Sequence, residues 1–150
     1  MQIALFLSRP PAYSETFLRS KIIGLQKMGM DVVLFCKSDT MDFDLCPVFT
    51  IPNKKDNFLL QFLSFFITAL SLIPHFVVVK KYIVLERKEG TDIINILKKI
   101  YLNAPLLKSK PDWLHFGFAT MALGRETVAR AIGAKMAVSL RGFDIAVYPV

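Results

Sequence analysis

Three side chains near the end of the chain carry chemistry that packing alone does not require: the imidazole of His115, the guanidinium of Arg141 and the carboxylate of Asp144. Each follows a short apolar run that reads as a β-strand. Asp112-Trp113-Leu114 runs out into His115-Phe116-Gly117-Phe118, and Ala134 to Leu140 runs out into Arg141-Gly142-Phe143-Asp144. An imidazole can hydrogen-bond a substrate hydroxyl or meet a developing charge. The planar fork of Arg141 suits phosphate, carboxylate or paired sugar oxygens, and Asp144 can accept hydrogen bonds from hydroxyls. Gly117 would let the backbone approach a ligand closely. Plainer roles account for the same residues: backbone carbonyls satisfying His115, and an Arg141–Asp144 ion pair that ties down the loop.

The elements around these residues explain why they would meet. A helix from about Ala119 to Ile132, ended by Gly133, joins the two strands, so both strand ends point the same way. Open parallel sheets bind ligands in the crevice beyond the carboxyl ends of their strands. The amino terminus supplies the same pattern. Gln2 to Leu7 is an apolar run suited to a strand buried on both faces, and Asp31 to Cys36 is a second. Between them, Pro10-Pro11 enforces a loop, Ser14 can cap a helix, and Glu15 sits in its first turn. Phe17, Leu18, Ile22, Leu25 and Met28 follow at helical spacing, and Gly29 closes the helix. The amides near Ser14-Glu15-Thr16 could hold an anion or hydroxyl on the same rim, or Glu15 serves the helix dipole only. A short third strand is expected within Pro47 to Pro52. The fold class is therefore α/β, a Rossmann-like parallel sheet flanked by helices.

The intervening stretch is unusual. Phe58 to Val79 holds no charged residue, but Pro74 cuts it after 16 positions, short of the roughly 20 that a spanning helix needs. Gln61, Ser64, Thr68 and Ser71 recur at helical spacing as a narrow polar stripe, so a packed or membrane-surface helix is expected. Helices over Phe76–Arg87 and Asp92–Leu107 follow, divided by Gly90, with Thr91 as the expected cap. Lys80-Lys81, Arg87-Lys88, Lys98-Lys99 and Lys108/Lys110 concentrate in this stretch, and the chain carries a formal charge of +7. That balance favours anionic partners, with a plain solvated helix surface as the alternative reading of the stretch. Aromatics lie in apolar runs without alternating basic residues, which speaks against nucleic acid. No G-x-G-x-x-G fingerprint and no P-loop occur, which disfavours dinucleotide binding and ATP hydrolysis. Cys36 and Cys46 lack metal-ligand spacing and read as buried thiols of a reducing compartment. No secretory signal opens the chain, so a cytoplasmic address is expected.

Taken in order, these pieces resemble the N-terminal half of GT-B-fold glycosyltransferases of the family-4 type, in the branch that builds bacterial exopolysaccharide and lipopolysaccharide. Ser14-Glu15-Thr16-Phe17-Leu18 matches that branch's S-E-T-F helix start, and Leu25 and Gly29 match its L-x-x-x-G ending. Phe58 to Leu107 resembles its hydrophobic and basic helical insert, here about residues 57–108. Pro111-Asp112-Trp113-Leu114-His115 matches its P-D-x-x-H strand, and Ser139, Arg141, Gly142, Asp144 and Ile145 match S-x-R-G-x-D-I. One departure stands out: relatives carry H-x-H-F, and Gly117 occupies the second histidine position. The resemblance covers essentially the whole chain. It implies a retaining transfer of sugar from a nucleotide-sugar donor to a glycan or lipid-linked acceptor, without a metal or cofactor. It places His115 beside the transferred sugar, with Asp144 as the other catalytic candidate. Ser14, Glu15, Thr16, Gly117, Arg141 and Gly142 would bind substrate. A peripheral position on the inner face of the cell membrane would suit lipid-linked acceptors. With no second Rossmann domain and no paired-glutamate segment, the sequence is expected to be an acceptor-side fragment, inactive without its donor domain. A non-catalytic, membrane-surface-binding α/β module is the alternative expectation.

Overall fold

The computed structural model describes residues 1–12, 16–37, 43–52 and 57–140, with the Phe58 side chain excepted. Five parallel strands form one sheet: β1 (Gln2–Leu7), β2 (Asp31–Cys36), β3 (Val48–Thr50), β4 (Trp113–Phe116) and β5 (Lys135–Val138). Their spatial order is β3-β2-β1-β4-β5, and every pairing is parallel. The chain therefore winds outward one way from β1 through β2 and β3, then starts again at β4 on β1's other side. The expected α/β class is the observed one.

Alternation along each strand divides the core in two. Ile3, Leu5, Leu7, Val32, Leu34 and Cys36 face helix α1 (Thr16–Lys27), which buries Leu18 and Ile22 against them. Ala4, Phe6, Phe35, Leu114 and Phe116 face the opposite way. There they meet α3 (Phe76–Lys88), α4 (Ile93–Lys108) and α6 (Glu126–Ile132) through Tyr82, Ile96, Leu106, Leu107 and Val128. Phe17 and Met28, read from spacing as inward positions, are exposed instead. At the amino edge of the sheet Asp112 acts as a clasp: its carboxylate accepts from the Gln2 N–H at 2.7 Å, and its own N–H donates to the Gln2 carbonyl at 2.9 Å. Both cysteines are buried and neither forms a disulfide, and burial pushes the Cys46 thiol up to about 11.

Helix boundaries differ from the sequence reading in two places. Asp92, not Thr91, caps α4, its carboxylate accepting from the Asn95 N–H at 3.0 Å. Thr91 turns inward and donates to Glu86 at 2.9 Å. The helix expected over Ala119–Ile132 is broken into α5 (Ala119–Ala122) and α6 by a turn in which Gly124 has φ 71°. Arg125 in that turn lies over the Phe6 ring at 4.6 Å, and its guanidinium donates to the Met121 carbonyl at 2.8 Å.

Helix α2 (Phe58–Ser71) is the outlying element. Asn57 caps it, its side-chain oxygen accepting from the Leu59 N–H at 2.9 Å. It rests on α4 along the polar stripe: the Ser64 and Tyr101 hydroxyls are hydrogen-bonded at 2.9 Å, and Lys108 donates to Ser71 at 3.4 Å. Its other faces, rich in Leu, Phe and Ile, are exposed. The segment between β3 and β4 is therefore two things. α3 and α4 belong to the core, and α2 stands outside it.

Candidate functional site at the β1–β4 rim

The winding reverses between β1 and β4, the chain leaving β1 toward β2 and leaving β4 toward β5, and parallel sheets bind ligands beyond the carboxyl ends of their strands at such a switch point. His115 stands on β4 at that point, in register with Leu5 of β1 and Ala137 of β5. Leu114 and Phe116 are committed to the α3/α4/α6 core, so alternation turns His115 to the α1 side. Its Nε2 lies 2.8 Å from Lys21 Nζ, in the middle of α1, and 2.8 Å from Ser139 Oγ, just past β5.

Burial, and then the neighbouring Lys21 charge, hold the imidazole below its ordinary 6.5, so it is neutral at pH 7. An ammonium can only donate, which makes Nε2 the acceptor and leaves the ring proton on Nδ1. Ser139 shares that acceptor. One lone pair thus serves two donors, and an arriving hydroxyl or phosphate oxygen can take over Lys21 or Ser139. Nε2 is then released to accept the proton of a ligand hydroxyl. The arrangement is suited to binding oxygen-rich ligands with a proton acceptor beside them.

Lys21 was not singled out by sequence reasoning. The signal was present: Leu18 and Ile22 mark the inward face of α1, and Lys21 lies three residues from one and adjacent to the other. Gly117 follows β4 and is buried, its N–H donating to the Phe6 carbonyl at 2.9 Å. A Cβ there would run into the end of the buried Leu7 side chain, so packing against β1 already favours the glycine. Thr16 opens α1, a turn and a half ahead of Lys21, and is exposed. Ser14, Glu15, Arg141, Gly142 and Asp144 lie outside the described residues. Of the expected site residues the described structure places His115, Thr16 and Gly117, and it joins His115 to two residues outside that set, Lys21 and Ser139. Hollows of about 440 and 580 Å³ border Gln2 and Val33, toward the amino end of β1, and are remote from this chemistry.

A second polar cluster lies within the helical layer. Glu86 is 1% exposed and accepts from Lys99 at 2.6 Å, from Thr91 at 2.9 Å and from Thr127. Burial opposes its ionisation, but hydrogen bonds from Lys99, Thr127 and Thr91 outweigh that and hold it below 4.5. Beside it the Tyr82 hydroxyl is buried without a well-formed hydrogen bond, and burial followed by the Glu86 charge raises its pKa. This cluster ties α3 to α4 and α6. Among the described residues no group of His, Cys, Asp and Glu side chains could hold a metal ion. Compared with known proteins, the chain matches no family model, no curated protein and no solved structure.

Proposed function

We propose that the chain is the acceptor-side domain of a glycosyltransferase. It serves retaining transfer of a sugar from a nucleotide-sugar to a glycan or lipid-linked acceptor in cell-surface polysaccharide synthesis. One observation carries the reading: at the winding reversal of a parallel sheet stands a neutral His115 with an amine and a hydroxyl as exchangeable partners. Acceptors of this class present hydroxyls, and a donor–acceptor–donor rim matches them. The sequence patterns Ser14-Glu15-Thr16 and Ser139 to Asp144 add support through the family resemblance that they carry. In this reading His115 lies beside the transferred sugar and Lys21 with Ser139 positions it. By the family resemblance, Arg141 and Gly142 would bind substrate and Asp144 would be the second catalytic group.

Disrupting the gene and profiling surface glycans in its own host tests the proposal. Loss or truncation of one glycan is expected, restored by the native allele. His115→Ala should fail to restore it while the protein still accumulates, since losing a proton-handling group lowers turnover roughly a hundredfold or more. Unchanged glycans in the disrupted strain, or full restoration by His115→Ala, would contradict it.

A further inference from the structure

Amphipathic helices of globular proteins turn their apolar stripe inward. Helix α2 does the reverse. Its polar stripe of Gln61, Ser64, Thr68 and Ser71 is half-buried against α4, while Phe62 is 64% exposed and Leu63, Phe66 and Ile67 are exposed with it. The apolar surface continues past the bend. Leu59–Ser71 and Ile73–Lys88 meet at 52°, and Ile73, Phe76 and Val77 project at that elbow. It also extends along α4, where a groove of about 540 Å³ is lined by Phe62, Phe65, Ile94, Leu97 and Leu102, with Lys98 among them. Contiguous exposed apolar surface on this scale marks an interaction site.

Charge identifies the occupant. On α3 the exposed positions run Phe76, Val77, Lys80, Lys81 and Val84, so the apolar elbow passes directly into a basic belt on one helix face. Residues 57–110 contain eight basic and three acidic side chains. Two of those acids are already engaged, Glu86 with Lys99 and Glu89 with Arg130 at 3.1 Å. A second copy of the chain would bring like belts together on molecules of charge +7. An anionic bilayer accepts both parts at once: acyl chains for the elbow, phosphates for the belt. No single described helix is long and apolar enough to cross a membrane. Leu59–Ser71 and Ile73–Lys88 reach that length only as a pair bent by 52°, and the 14 residues of α2 alone reach about 21 Å, short of a hydrocarbon core of about 30 Å, which favours a helix in the interface plane.

We propose that the α2–α3 elbow docks the protein on an anionic lipid surface, with Phe62, Phe66 and Phe76 at the acyl boundary and Lys80 and Lys81 at the phosphates. The proposal uses none of the rim residues and holds whichever chemistry the rim performs. Flotation with phosphatidylcholine vesicles, with and without phosphatidylglycerol, tests it on the full chain. Binding should require phosphatidylglycerol and weaken in high salt. Lys80→Glu with Lys81→Glu should weaken it at least tenfold, since each lysine near the surface contributes roughly fivefold. Phe62→Ser with Phe66→Ser should abolish it, with circular dichroism unchanged because both rings are exposed. Absence of flotation overturns the proposal, as does binding indifferent to the lysine pair. So does a phenylalanine pair that dissolves a dimer yet leaves flotation intact.

Discussion

At the scale of single residues, the state of His115 follows from two neighbours and can be altered one at a time. Lys21→Met should raise the His115 pKa while leaving it below 6.5, because burial, the larger cause, remains; histidine NMR titration checks this. The folded imidazole takes its proton at lower pH than the unfolded chain. Its contribution to stability is therefore intact above about pH 6.5 and is lost as pH falls through that value toward the folded pKa. Glu86 acts the same way in a lower window. Its folded pKa lies below 4.5, so its stabilisation is present above that pH and fades beneath it. Glu86→Gln should flatten this acid limb in urea titrations at successive pH values. Lys99→Met should cost about 2 kcal/mol, less than the ~3–5 for a fully buried pair, because the lysine side chain is 35% exposed. His115 was legible as the polar end of an apolar strand. Lys21 carried only an ambiguous signal, because a lysine beside inward leucines and isoleucines commonly stretches its stem over them and leaves its amine in water.

Elements show where local sequence decides and where packing overrides it. Strand ends and the αL glycines were legible: Gly29 at φ 76° and Gly133 at φ 79° end their helices as the spacing requires. The α4 cap was misplaced by one residue because Thr91 and Asp92 are both good caps. Tertiary demand settled it, since buried Glu86 draws Thr91 inward. Asp92→Ala should therefore lower stability measurably by chemical denaturation, as an ordinary cap loss does. The break between α5 and α6 was invisible to periodicity, for Gly124 within a helical pattern is a weak signal. What fixes it is long-range: the Arg125 guanidinium over Phe6 of β1. Gly117→Ala should destabilise by about 1–3 kcal/mol as Leu7 is displaced, measurable in the same unfolding experiment.

For the whole molecule, alternating strand and helix signals sufficed for an all-parallel sheet, because parallel neighbours need crossovers and crossovers have one hand. The outward-facing apolar side of α2 was not legible, since a hydrophobic run does not say which side meets its neighbour. The rim at the β1–β4 reversal is the centre of the functional account, and the chain's two histidines offer a direct reading of it. His75 lies in the turn between α2 and α3, away from the sheet reversal. Ring signals of both can be followed while short oligosaccharides with glucose, galactose or N-acetylglucosamine termini are added. Saturable displacement of the His115 signals, with His75 unmoved and the response lost in Ser139→Ala, is the expected result. His115 signals that stay fixed at millimolar glycan, or that move only in step with His75, would contradict a sugar-binding rim.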